Sequence, residues 1–385
     1  MSAASVRRCG LAVAISLLVP WTAAGQTLAT GTVIDAVTVS DDPTQSYALY
    51  LPTDYAPDRL WSLLLAFHPS ARGAAFVEKY RAAAERYGYI VAGSNNSRNG
   101  SWDQTIRAVR AMSRDAGRRF AVDAERVYLT GHSGGARVAM EVALGPNDIA
   151  GVIASSAGFP DAKPRTSVKF PVFATAGSED FNYLEMMRLD ARLTSAHSLA
   201  IFEGGHTLPP DAVAFEAVEW LELQAMRAGR RVKDQALVDA LFIAREKRLA
   251  DARDQTSRLR LARAMVADFK GLHDVATLQA AAEALAADPR VKDALARERS
   301  DLDSESRALD EALAIEARLG DPSSRAASLT RLRTLFESWS SAASASDPST
   351  ERARARRLLG AVAAGASERV KDDDYRALVQ QYRWR

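Results

Sequence analysis

The sequence of 385 residues contains one cysteine, Cys9. It sits in the opening stretch "MSAASVRRCGLAVAISLLVPWTAAGQ", where Arg7 and Arg8 precede an apolar run from Leu11 to Val19 and then the small residues Ala23, Ala24 and Gly25. That order is the order of a secretory signal peptide over residues 1–25, so the chain is expected in the periplasm or outside the cell. The residues after the arginine pair fit twin-arginine export poorly, which favours ordinary secretion. With the signal removed no thiol remains, and this excludes disulfides, cysteine metal sites and a cysteine nucleophile. Long apolar runs are also missing beyond the signal, so no membrane anchor is expected after cleavage. An excess of either charge is lacking too: 50 Lys and Arg face 48 Asp and Glu, a net charge of +2. Nucleic acid and anionic membrane are therefore not expected as partners.

Glycine and proline become scarce part-way along. Only Gly271, Gly320, Gly360 and Gly365, four of 22, and Pro289, Pro322 and Pro348, three of 14, follow residue 230. Turn-rich sequence gives way near "RAGRRVKD", residues 227–234, to Ala, Arg, Leu and Glu, which form helices well. The mature chain thus divides into a region over 26–230 and an all-helical region over 231–385.

The first region alternates strand and helix signals. "GTVIDAVTV" and "QSYALYLP" read as an opening antiparallel pair. Buried strands follow at "LWSLLLAFHP", "YIVAGS", "RVYLTGHS", "AGVIASSAG", "FPVFATAG" and "SLAIFEGG", with amphipathic helices among and after them. This is an α/β class: a mostly parallel sheet covered by helices on both faces, with ligands expected at the carboxyl ends of the strands. In the helical region, Asp-Pro pairs at 288–289, 321–322 and 347–348 read as N-cap followed by first helical residue. The first two lie 33 residues apart, as in helical hairpin repeats, but the third breaks the period. Mixed charges such as "AREKRLADARDQTSRLR" are expected to face solvent.

What the first region does have is "RVYLTGHSGGARVAM", residues 126–140, in which Gly131, Ser133 and Gly135 fit Gly-x-Ser-x-Gly. By composition alone such a pattern occurs by chance in roughly one chain of this length in ten. Here, however, it joins a strand to a helix, where a serine hydroxyl is presented on a strained turn. A serine nucleophile also needs a histidine to take its proton and a carboxylate to orient that histidine, in the order acid, then histidine, each beyond a strand. Of His197, His206 and His273, only His206, in "FEGGHTLPP", directly follows a strand at the required edge. "ATAGSEDFNY" offers Glu179 and Asp180, of which Asp180 has the expected offset, and Asp161 in "SSAGFPD" is the outlying candidate. The triad reads Ser133, Asp180 and His206, and it needs no metal or cofactor.

These residues resemble the α/β-hydrolase superfamily, and within it secreted esterases related to poly(3-hydroxybutyrate) depolymerases and feruloyl or acetylxylan esterases. The likeness rests on "LLLAFHP", "YIVAGSNNSRNGSWDQ", "RVYLTGHSGGARVAM", "AGSEDFNY" and "FEGGHTLPP", over roughly residues 32–225, and leaves out the helical region. It departs from the family at the oxyanion loop, where many relatives have His-Gly-Gly and this chain has His68-Pro69-Ser70-Ala71-Arg72-Gly73. Pro69 has no N–H, so the amide of Ser70 or Ala71 is expected to donate alongside that of Gly134. Arg72 could bind an anionic substrate, and Asn95, Asn96, Arg98 and Trp102 could form a substrate rim.

The 47 residues from Ser133 to Asp180 and the 26 from there to His206 leave no room for a cap domain, so the site should be open unless the helical region covers it; of the small-molecule and polymeric esters expected as substrates, a large or polymeric one suits it better. Cleavage of carboxylic esters is the expectation. A peptidase with the same triad is the first alternative. An inactive hydrolase fold that binds a protein partner through its helices is the second.

Overall fold

A computed structural model describes residues 28–383. The expected signal peptide and Cys9 lie outside the described residues. By contacts the chain forms two units: residues up to Thr175 with Arg192–Ala200 and Leu208–Val232, and Ala176–Ala191 with Ile201–Thr207 and the chain from Lys233 onward. The two short segments of the second unit are those that follow the seventh and eighth strands. They carry Asp180 and His206.

One eight-stranded sheet runs in the order β1-β2-β4-β3-β5-β6-β7-β8. Its strands are β1 Val33–Val39, β2 Asp42–Tyr50, β3 Trp61–Phe67, β4 Tyr89–Ser94, β5 Val122–His132, β6 Gly151–Ser155, β7 Val172–Gly177 and β8 His197–Phe202. β1 and β2 are antiparallel, as is β2 against β4, while the ladders β4-β3-β5-β6-β7 are parallel. Every residue of β3, β4, β6 and β7 is buried, as the unbroken apolar runs in the sequence require of strands covered on both faces. The helices of this part are α1 Gly73–Tyr87, α2 Trp102–Arg119, α3 Gly134–Leu144, α4 Tyr183–Arg192 and α5 Asp211–Arg227. Phe76, Val77 and Tyr80 of α1 pack with Ala217, Trp220 and Leu221 of α5 and with Leu64, Val91 and Tyr128 of the sheet in one core. The mostly parallel sheet with its surrounding helices is the α/β class expected from the sequence.

The second unit is helical from Lys233 on: α6 Gln235–Ala250, α7 Gln255–Phe269, α8 Ala276–Ala287, α9 Pro289–Glu316, α10 Pro322–Ala343, α11 Thr350–Ala363, α12 Ala366–Arg369 and α13 Asp373–Tyr382. Asp288 and Asp321 cap α9 and α10, each accepting a backbone N–H two residues on, with proline at the first helical position. The third Asp-Pro pair differs from expectation. Ser349, not Asp347, caps α11 by accepting from the Arg352 N–H at 3.1 Å, because the hydroxyl one residue past Pro348 is the acceptor in reach of the first turn. A regular repeat is absent as well, since α9, α10 and α11 have 28, 22 and 14 residues. Their core gathers Ile315, Leu319, Leu332, Phe336, Leu359 and Tyr375. Among the described residues no helix is long and apolar enough to cross a membrane.

Candidate active site

β5 ends at His132 and α3 begins at Gly134, so Ser133 alone makes the turn between them. Its backbone has φ 54° and ψ −123°, a region in which a side chain is strained. Three non-glycine residues have positive φ among the described residues, Ala71, Ser133 and Ser156, and all follow the carboxyl ends of parallel strands. The glycines around Ser133 are demanded by space. A Cβ at Gly131 would lie 2.1 Å from the Gly135 carbonyl oxygen, and one at Gly135 would lie 1.9 Å from that of Phe67. The turn is tied to β6 by the Ser133 N–H, which donates to Ser155 O at 2.8 Å. Ser133 is half-buried.

The second unit holds the other two candidates. Asp180 is fully buried, and its Oδ1 accepts from the Asn182 N–H at 2.8 Å and pairs with His206 Nδ1 at 2.8 Å. The two turns that carry them, after β7 and β8, run side by side. Ser178 N–H donates to Phe202 O and Glu179 N–H to Gly204 O, each at 2.8 Å. A Cβ at Gly177 would meet Gly204 O and Gly205 O at 2.3 Å, so "AGSED" needs its glycine as much as "EGGH" does. Phe181 stacks on the His206 ring with centroids 4.0 Å apart.

The competing acids are otherwise engaged. Glu179 pairs with Arg356 at 2.7 Å, and Asp161 with Arg165 at 2.5 Å. His197 Nδ1 contacts Ser195 O at 2.7 Å at the amino end of β8, and His273 stacks on Phe242. Arg137, beside the serine motif, donates to Phe159 O at 2.7 Å, a structural role.

The loop after β3 buries its histidine while Ser70 and Arg72 stay exposed. His68 is buried, and desolvation together with the Arg72 cation lowers its pKa to about 4, so at neutral pH the ring is uncharged. Ser70 N–H donates to its Nδ1 at 3.0 Å, and Ala71 N–H donates to His68 O at 3.1 Å. Both amides expected at an oxyanion hole are thus already in use. Arg72 is exposed, with Nη2 3.3 Å from His68 Nε2.

Of the expected rim, Arg98 is exposed and Trp102 is 41% exposed at the start of α2. Asn95 and Asn96 serve the opening hairpin instead. Asn95 Nδ2 donates to Asp35 O at 2.9 Å, and Asn96 Oδ1 accepts from Ser46 N–H at 2.8 Å. The residue that sequence reasoning passed over is their neighbour Asn99. Its N–H donates to Pro69 O at 2.8 Å, and Ser70 and Arg98 form an isolated β-bridge, which ties this loop to the one after β3. A Cβ at Gly134 would lie 1.8 Å from Asn99 Oδ1, so the exposed carboxamide rests on the residue that follows Ser133.

Comparison with known proteins gives the following. No family model matches the chain and no curated protein does. Among solved structures it is similar to a thermostable esterase, at 18% identity and TM-score 0.39 over 49% of this chain. This chain spans only 62% of that esterase's length. Est1E from Butyrivibrio proteoclasticus is similar at 14% identity and TM-score 0.40 over 50% of this chain and 99% of Est1E. An acetyl xylan esterase from Aspergillus awamori is similar at 17% identity and TM-score 0.39, again over 50% of this chain and 99% of the other.

Proposed function

We propose that the protein is a secreted serine hydrolase that cleaves carboxylic esters through an acyl-enzyme. The observation that carries this reading is the Ser133 backbone: a non-glycine residue held at φ 54° where a buried strand turns into a helix, half-buried, with flanking glycines that cannot accept a side chain. Such strain persists only where the surroundings impose it, and it gathers at functional sites. The 2.8 Å bond between His206 Nδ1 and Asp180 gives further support, because it would leave Nε2 as the ring's base.

In the reaction, Ser133 Oγ attacks the acyl carbon as His206 Nε2 takes its proton, and Asp180 holds the ring's tautomer and balances its new charge. Oxygen charge in the tetrahedral intermediate is met by the Gly134 N–H at the start of α3. Ser70 or Ala71 could add a donor only by releasing His68, so we assign the second donor to Asn99 Nδ2. His206 then protonates the leaving alcohol, and water activated by the same ring frees the acid. Arg72, Arg98 and Trp102 form the exposed rim, which suits a polymeric ester or one with an anionic group.

The test is turnover of p-nitrophenyl and hydroxycinnamoyl esters beside short peptides. Wild type is expected to cleave esters, and Ser133→Ala to lose ~10⁴-fold or more in kcat. Cleavage of peptides alone would replace the esterase reading with a peptidase, and no turnover of either would contradict it.

A further inference from the structure

The helices after residue 233 have no place in the chemistry just described. We infer that they complete the catalytic apparatus: Arg357 of α11 is a positioning residue for the Asp180–His206 pair. The inference rests on the hydrolase reading for its catalytic meaning, but its geometry lies wholly within the second unit.

The turn from Ser178 to Phe181 is held by α11 on both sides of the aspartate. Arg357 Nη1 donates to Ser178 O at 2.6 Å, while Nε and Nη2 reach the two carboxylate oxygens of Glu305 on α9 at 2.7 and 2.5 Å. Its guanidinium also lies 4.4 Å from the ring centre of Tyr183. Arg356 and Arg352 pair with Glu179 at 2.7 and 3.6 Å. One turn on from Arg356, at Gly360, a Cβ would come within 3.2 Å of Phe181 Cβ, and Phe181 is the ring stacked on His206. Residues 352, 356 and 360 recur every fourth position, so they share one face of α11.

Ser178, Glu179 and Phe181 are therefore each fixed by α11, and Asp180, between them, is left for His206 and its own turn. A planar guanidinium is required at 357. Only that fork can meet both oxygens of Glu305 and a carbonyl at once. Arg357 and Glu305 are 7% and 2% exposed, a buried pair whose rigidity passes directly to Ser178. Sequence alone suggested a protein partner for these helices; this reading gives them work inside the molecule.

The experiment uses the full chain. Arg357→Met alone would strand the Glu305 charge, so it is combined with Glu305→Leu, and Arg356→Gln is the milder second variant. A matched control, Arg369→Met with Glu316→Leu, removes another ion pair of the same helical region, between Arg369 and Glu316 at 2.6 Å. Two quantities are read: the downfield NMR resonance of the His206 Nδ1 proton, and kcat per site titrated with a fluorophosphonate. The R357M/E305L double variant is expected to weaken or shift that resonance and to lower kcat roughly ten- to hundredfold with KM within about twofold. Arg356→Gln should do the same to a lesser degree, and the control should do neither. The inference is overturned if the folded double variant, or Arg356→Gln where the double does not fold, keeps both quantities at wild-type values. It is overturned equally if the control changes them as much. A wild type that titrates with no fluorophosphonate, but whose His206 resonance responds to Arg357 and not to the control, would sink the hydrolase reading and leave the brace standing.

Discussion

Ser133 and Asp180 each sit on a tight turn after a buried strand, yet the two turns are held by different material. Around Ser133 the constraints are close contacts and hydrogen bonds of the main chain: Gly131 and Gly135 touch each other, Phe67 O fills the space at Gly135, and Ser155 O accepts the turn's N–H. Around Asp180 they come from far along the sequence, with Glu179 and Ser178 bound to arginines 177 and 179 residues away. The first turn is a steric device made of glycines pressed against main-chain oxygens. The second is shaped by Gly177 but fixed by charges on helices, so it should be the easier of the two to loosen.

Stability should separate them most clearly. Arg357→Met is expected to lower the unfolding free energy by about 3–5 kcal/mol, since it abandons a buried carboxylate, while the double replacement with Glu305→Leu should recover much of that loss. Denaturant titration of the three proteins checks this, and equal stability of single mutant and wild type would contradict it. At the serine turn the expected large effect is on rate. Asn99→Ala should reduce kcat by roughly 10²–10³ if its carboxamide faces the oxyanion, with little change in KM. A change of less than about threefold in kcat would return that role to the loop after β3.

Relieving the strain at Ser133 gives a smaller effect of opposite sign. Ser133→Gly should stabilise the fold by about 1 kcal/mol, the release of strain less the extra entropy of an unfolded glycine, while abolishing turnover. Thermal unfolding of that variant decides it, and a lower Tm would mean the turn is not strained. The last effect concerns the pH dependence of stability and belongs to His68. Its folded pKa of about 4 lies below the ordinary histidine value of 6.5, so the unfolded chain binds the proton first as pH falls. Its contribution to stability is full above pH 6.5 and is lost as the pH drops toward 4. His68→Gln should flatten the fall of Tm over that window.

The difference between the turns also explains what could be read in the sequence. The Gly-x-Ser-x-Gly turn, the strand runs and the order of Asp180 and His206 after it are local signals, and Gly177 with "EGGH" marks the crossing of two turns. The loop after β3 is less legible, because whether Ser70 and Ala71 can donate depends on where the His68 ring points. Asn95, Asn96 and Asn99 look alike in "SNNSRNG", and only folding assigns two of them to the hairpin and one to Gly134. In "ERARARRLLG" three arginines reach the acid's turn and Arg357 is buried, where mixed charge in these helices suggested solvated faces. Helical periodicity says which residues share a face. It does not say that a carboxylate or carbonyl from a distant turn will be waiting there.

The measurement that bears most directly on the central claim is intact-mass analysis after exposure to a fluorophosphonate, for wild type, Ser133→Ala and His206→Ala. The expected result is one adduct per wild-type chain, mapped to Ser133, none on Ser133→Ala, and labelling slowed by ~10³-fold or more on His206→Ala. An unlabelled wild type, or a Ser133→Ala chain that still takes one adduct, would contradict it.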